Sequence, residues 1–355
     1  MSDLIPILAE TCSSYSQKIL SLLGKGAQHA ALVYEQFFRR GAIHLHHPAF
    51  SNARTLLKQI CEATDFALPL LHRQLDDGTT GKFLLKTLDH LDTESVIIPM
   101  QAGSTLCVSS QVGCRLGCAF CETGRMGLIR HLSVQEITAQ LFIAQHVLKQ
   151  PIRNVVFMGM GEPFDNYENV LQAARVMNDP LGLNIGARHI TLSTSGLIEG
   201  IYRLAEEEGF TPNLAVSLTA PTNELRNRLM PINKKHSLED LYVAMEHYCN
   251  KKRRQILIAY VLLEGVNDTL EHADQLQSYL KNLPVKINLI PYNPQSRDRY
   301  SPPPLEIMEA FAHRLRSNGH QVLIRLTKGK DIMAACGQLG NLGLRKQLIA
   351  LGKTP

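Results

Sequence analysis

Tryptophan is absent from the 355-residue chain, and aromatic side chains make up only 6% of it. Any stacking on a nucleic-acid base must therefore use Tyr, Phe, His or Arg planes, which neither supports nor excludes such a partner. Long apolar runs are also missing. No stretch reaches the roughly 18 residues that a membrane span needs, and the N-terminus lacks a basic region followed by an apolar core. These absences predict a soluble cytoplasmic protein with no membrane partner. A strong charge excess is missing too: the net charge of +5 suits a phosphate-rich partner but does not require one. No internal repeat or low-complexity tract is evident.

What is present is enough apolar material, 45% of residues, to fill a barrel-sized domain plus a small accessory unit. Eight cysteines in a chain without a secretory leader do not read as a disulfide framework. Grouped thiols here point to metal ligands or catalysts.

From about residue 105 onward, short β-rich runs alternate with helical stretches, as in repeated βα units around a parallel sheet. The expected strands are Thr105–Val112, Asn154–Met158, His189–Ser195, Asn213–Leu218, Ile256–Leu263 and Lys286–Pro291, with a later run at Gln321–Leu326. Ser133 followed by Glu136 forms a capping-box start for the first helix of this region. Further helices are expected at Tyr167–Met177, Ile198–Glu208, Leu238–Asn250, Leu270–Leu280 and Leu305–Asn318, the last entered by the stiff Ser301-Pro302-Pro303-Pro304 loop. The fold class is α/β, an open or partial barrel of six βα units with its site at the strand C-termini. Residues 1–75 read as a helical N-terminal accessory domain and 76–104 as a β linker, with a turn at Asp77-Gly78 and a strand at Lys82–Leu88. The catalytic core spans 105–345, and 346–355 form a tail.

The sharpest motif is C-R-L-G-C-A-F-C, which places Cys114, Cys118 and Cys121 on one loop directly after a strand. Three thiolates can hold three corners of a four-iron cluster and leave one iron open to an amino and a carboxylate group. The competing reading is a zinc site, which would need a fourth ligand; His131 is the nearby candidate.

With these residues the chain resembles the radical SAM (S-adenosylmethionine) superfamily, and the surrounding text is similar to the RlmN/Cfr group of RNA methyltransferases. The resemblance rests on T-L-C-V-S-S-Q-V-G-C at 105–114, F-M-G-M-G-E-P at 157–163 and A-R-H-I-T-L-S-T-S-G at 187–196. It continues through R-L-M-P-I-N-K-K at 228–235, N-L-I-P-Y-N-P at 288–294 and A-A-C-G-Q-L at 334–339. Residues 1–75 match poorly.

The resemblance implies a radical SAM barrel holding a [4Fe-4S] cluster on Cys114, Cys118 and Cys121. It implies SAM contacts from Gly161, Glu162, Ser195, Ser217, Leu218, Thr219 and Asn293. Carbon-2 of adenine is electron-poor and has no nucleophilic electrons to offer a SAM methyl, so the resemblance implies a relay in its place. One SAM methylates Cys336; a second is cleaved to a radical that takes hydrogen from that methyl; the carbon then adds to the base. The resemblance implies that Cys107 resolves the resulting protein–RNA link and that Glu94 is the general base. Taken alone, Cys107 and Cys336 would pass for small buried thiols, and Glu94 for a solvated charge before a strand. The resemblance further implies a disulfide bond, RNA as partner (23S ribosomal RNA, with transfer RNA as a second substrate), an electron donor such as flavodoxin or ferredoxin, and a monomer. Basic groups available for phosphate are Lys251–Arg254, Arg125 with Arg130, Lys234-Lys235, and Arg325 with Lys328 and Lys330.

The chain departs from the family pattern at Thr219, where histidine is usual, and at Lys330 and Met333, where acids are common. Alternatives are carbon-8 methylation as in Cfr, a non-catalytic metal-containing RNA-binding module, and a radical SAM enzyme acting on protein or a small molecule. The last would have no evident use for Cys107 and Cys336.

Overall fold

The computed structural model describes residues 4–44, 47–295, 299–326 and 328–344; the expected tail at 346–355 lies outside these. Ten strands form one sheet: β1 Leu70–Asp76, β2 Gly81–Lys86, β3 Asp92–Ile98, β4 Ser104–Cys107, β5 Ile152–Phe157, β6 Ile190–Thr194, β7 Asn213–Ser217, β8 Ile256–Leu262, β9 Val285–Pro291 and β10 Gln321–Ile324. Their spatial order follows their sequence order. From β4 to β10 every neighbouring pair is parallel, whereas β1 to β4 pair antiparallel. Six βα units followed by a seventh parallel strand make the expected partial barrel.

β8 shows why these segments become strands. Ile256, Ile258, Tyr260 and Leu262 are fully buried at every second position, so the period-2 pattern points one face into the core. The outer layer is α5 Val134–His146, α6 Tyr167–Asn178, α7 Ile198–Glu206, α9 Leu238–Lys252, α10 Leu270–Leu280 and α11 Leu305–Ser317, with α4 Glu122–Met126 and α8 Asn223–Leu229 as short inserts near the barrel mouth. The capping box of α5 forms: Glu136 N–H donates to Ser133 Oγ at 3.2 Å, and Ser133 N–H donates to Glu136 Oε2 at 2.9 Å.

The N-terminal helices α1 Cys12–Leu23, α2 Ala27–Arg40 and α3 Arg54–Glu62 share the barrel's core. Phe37 stacks on Phe142 of α5 with ring centroids 4.6 Å apart, and the Cys12 N–H donates to Asp179 Oδ2 at 2.7 Å. Helical structure ends at Glu62, however, and the stretch to residue 75 contains most of strand β1. The expected linker is a three-stranded antiparallel meander that extends the sheet beyond β4. β1 is an edge strand with a register shift between Leu71 and Arg73 and no residue fully buried, so it carries no period-2 signature to read. The run expected as Thr105–Val112 stops at Cys107. Beyond it, Ser109 leaves the ladder, its N–H donating to the Gln140 side chain (Oε1) at 2.8 Å and its hydroxyl to the Glu94 backbone carbonyl at 2.6 Å. Among the described residues no helix is long and apolar enough to cross a membrane.

Candidate active site

The cysteine loop leaves β4, turns at Gly113 and enters α4. Gly113 sits at φ 78°, and a Cβ there would lie 1.9 Å from the Gly127 carbonyl oxygen, so only glycine closes this turn. Cys114 and Cys118 are buried and Cys121 is half-buried. Burial raises all three thiol pKa values, that of Cys118 to about 12. Such thiols ionise only when a bound cation compensates. Among the described residues no three His, Cys, Asp or Glu side chains converge as a single metal ion requires, and His131 Nδ1 is engaged by Gln111 Nε2 at 2.9 Å. Three thiols on one loop fit a cluster that presents a separate iron to each.

Beside this loop, G-M-G-E packs against the exit of β4 with no room for side chains. A Cβ on Gly159 would lie 2.7 Å from the Val108 carbonyl, and one on Gly161, at φ 101°, would lie 2.6 Å from Gln111 Cβ. The Glu162 carboxylate is buried, accepting from Ser195 N–H at 2.8 Å and Phe164 N–H at 3.1 Å. Burial outweighs these bonds and raises its pKa to about 7. Thr219 follows β7 in the left-handed region at φ 59°, fully buried, with its hydroxyl unpartnered. A β-branched residue held there is strained, and strain of that kind concentrates at ligand sites. A glycine cradle, a buried carboxylate and an orphaned hydroxyl at the strand C-termini fit the amino, carboxylate and hydroxyl groups of a SAM-sized ligand.

The signature of the Radical SAM superfamily matches residues 108–276. A probable dual-specificity RNA methyltransferase RlmN 1 from Protochlamydia amoebophila is 57% identical over 97% of this chain and 96% of its own length. The chain belongs to the RlmN family of radical SAM enzymes. A second RlmN, from Caldicellulosiruptor saccharolyticus, is 42% identical over 86% of this chain and 89% of its own. The crystal structure of a radical SAM methyltransferase from Sphaerobacter thermophilus superposes with a TM-score of 0.87 at 36% identity, covering 94% of this chain and 98% of that one. The cofactors of this RlmN-family enzyme are a [4Fe-4S] cluster and SAM.

Glu162 carries a pH dependence. Its raised pKa means the carboxyl is neutral below about pH 7 and charged above it. With Glu162 as the expected partner of the SAM ammonium, binding should weaken as pH falls, approaching tenfold per unit below about pH 7, and Glu162→Gln should weaken it most above about pH 7 and remove the pH dependence. Equilibrium SAM titrations on reconstituted protein between about pH 6 and 8 measure this; an affinity independent of pH would remove Glu162 from the site.

Cys336 lies on a strap, residues 328–340, that crosses from β10 to the meander. A cavity of about 130 Å³ under the strap is lined by Cys107, Cys121, Cys336, Met158, Asn293 and Arg325 among others. One space thus joins a cysteine of the C-x3-C-x2-C loop to Cys107 and Cys336. Cys336 is exposed. Its carbonyl accepts from Asn293 Nδ2 at 2.9 Å, and the Gly337 carbonyl accepts from Glu122 N–H at 2.8 Å. Cys107 is buried, which raises its pKa to about 12, with Cys336 adding to the shift and Arg325 opposing it. All eight cysteines are free thiols, so the disulfide implied by the resemblance is not formed here.

Glu94 is neither solvated nor ahead of a strand: it is buried in the middle of β3. Its Oε2 meets Lys82 Nζ at 2.5 Å, and its Oε1 accepts from Gly340 N–H at 3.2 Å. Lys82 Nζ also donates to the Met333 carbonyl at 3.0 Å. The pair therefore ties both ends of the Cys336 segment to the meander. Sequence reasoning missed Lys82; only its register opposite Val96, two residues from Glu94 on the same face, could have pointed to it. Lys82→Met would leave a buried carboxylate unpaired and should cost about 3–5 kcal/mol of stability. Chemical denaturation checks this, and a change below about 1 kcal/mol would show that the pair does not hold the strap.

The other expected SAM ligands divide. Ser195 and Ser217 end their strands at the site, but their carbonyls accept from Arg226 Nη2 at 2.7 and 3.2 Å. The Leu218 N–H donates to the Ala259 carbonyl at 2.9 Å, and its carbonyl accepts from Arg226 Nε at 3.2 Å, so its backbone is already committed. The basic groups divide as well. Arg130 is held by Asp89 at 2.6 Å and Glu136 at 2.8 Å, Lys235 by Glu199 at 2.9 Å and Lys251 by Glu206 at 2.7 Å. Lys251–Arg254 lead into the N-terminal end of β8, opposite the cysteine loop. Arg325 and Lys328 line the Cys336 cavity.

Proposed function

We propose that this enzyme methylates carbon-2 of adenine in RNA by way of a methyl group carried on Cys336. The observation that carries this reading is the single cavity shared by Cys336, Cys107 and the cluster cysteine Cys121. The names of the relatives, dual-specificity RNA methyltransferases, support RNA as substrate; ribosomal and transfer RNA are the two classes this reading assigns. A flavodoxin or ferredoxin is the class of donor that would supply the electron.

When bound, cluster and SAM supply a methyl group and one-electron hydrogen abstraction. The rest falls to the chain. Cys336, exposed on a strap braced by Asn293, Glu122, Lys82 and Glu94, presents its sulfur-borne carbon to the base. Arg325 and Lys328 at the rim suit the phosphates of an incoming strand. Glu94 takes the carbon-2 proton once the strap shifts and Gly340 releases its carboxylate. The Cys107 thiolate, favoured by Arg325 against the cost of burial, attacks the Cys336 sulfur. The carbon–sulfur bond breaks with its electron pair passing to the methylene carbon, which takes up the proton that Cys107 gave up and becomes the methyl group. The one surplus electron left by radical addition passes to an acceptor of the flavodoxin or ferredoxin class, and the two cysteines remain as the disulfide this reading requires.

Nucleoside analysis of ribosomal and transfer RNA after anaerobic turnover tests the site of transfer. Methyl on adenine carbon-2 is expected; methyl on carbon-8 would assign the Cfr-type outcome, and unmodified RNA from a cluster-loaded enzyme would refute the reading.

A further inference from the structure

Arg226 is the largest fully buried side chain among the described residues. Its guanidinium donates to four neutral acceptors: the carbonyls of Ser195, Ser217 and Leu218, and Asn233 Oδ1 at 3.0 Å. Among the described residues no carboxylate pairs with it; the ionisable groups that act on it are Tyr279 and Cys118. A guanidinium keeps its charge even when buried, and a buried charge without a counter-ion is strongly unfavourable. The helix that carries it, α8, packs on the cysteine loop: Cys118 shares a buried apolar cluster with Leu225 and Leu229, and Ala119 N–H donates to the Leu229 carbonyl at 2.9 Å.

We propose that Arg226 is the built-in counter-cation of the iron–sulfur cluster, setting its reduction potential while locking the ends of β6 and β7 that face SAM. Three thiolates around a four-iron core form an anion whose negative charge grows on reduction. A fixed cation in a water-free position beside Cys118 favours the reduced state. Arg226 is thus a positioning and potential-setting residue that does not touch the reacting atoms. The inference rests on Cys114, Cys118 and Cys121 holding the cluster.

The test is reconstitution of the full-length wild type, Arg226→Lys and Arg226→Gln, with iron and sulfide analysis followed by an EPR-monitored reductive titration. Arg226→Lys keeps the charge and should titrate near the wild type. Arg226→Gln keeps hydrogen bonds but not charge, and at the wild-type midpoint its ratio of reduced to oxidised cluster should be at least tenfold lower, a drop of about 59 mV for one electron. A fully loaded Arg226→Gln protein with the wild-type midpoint overturns the proposal. Asn233→Asp serves where Arg226→Gln does not fold: it puts a competing carboxylate on the guanidinium and should lower the midpoint in the same direction, whereas an unchanged midpoint again overturns the proposal. A wild type that binds no iron and sulfide would instead refute the assignment of the cysteine loop.

Discussion

Replacing Cys336 by alanine should stop methylation of RNA while leaving cluster loading and SAM binding intact. The separation follows from the fold. Cys336 sits on the strap, whereas Cys114, Cys118 and Cys121 belong to the loop after β4 and the glycine cradle follows β5. Removing one exposed thiol touches neither metal ligands nor cofactor contacts, so iron, sulfide and SAM stoichiometry should match the wild type. Transfer should fall by at least about 10³-fold, the scale seen when a group acting as part of a covalent unit is deleted. Cys336→Ser should not rescue it, because the relay needs a sulfur that can be alkylated and later displaced. Single-turnover assays with labelled SAM read the effect, and normal transfer by Cys336→Ala would end the relay.

Cys107→Ala should act in the opposite sense on an intermediate. Cys107 faces the same cavity from β4 and is assigned only the last bond exchange. Its loss leaves loading of Cys336 and attack on the base in place but removes the thiolate that frees the product. Protein should accumulate covalently joined to RNA, migrating as a nuclease-sensitive species that the wild type lacks, at close to one adduct per active site. Digestion and mass spectrometry should locate the link at Cys336. Absence of any adduct, with transfer abolished, would place Cys107 in packing only.

Much of this architecture is legible in the sequence because buried parallel strands and amphipathic helices repeat. Leu270–Leu280 has the bounds expected of it, and β8 announces itself through Ile256, Ile258, Tyr260 and Leu262. The cysteine spacing, likewise, is a local signal. What escapes is whatever depends on long-range register. β1 exposes most of its residues and shows no alternation. Glu94 reads as a surface acid until the meander sets it beside Lys82 and beneath Gly340. T-N-E-L-R at 222–226 gives no hint that Ser195 and Ser217 will close over the Arg226 guanidinium. Thr219 is visible as a departure from the family's histidine, but its left-handed backbone and unpartnered hydroxyl are tertiary properties.

The relay is tested most directly by following deuterium from the SAM methyl group into the adenine product by mass spectrometry. Passage through Cys336 requires one hydrogen to be taken from the sulfur-borne carbon, so the new methyl must arrive one deuterium short, with its missing position filled from another source. A product methyl that retains every deuterium of the SAM methyl would contradict the relay.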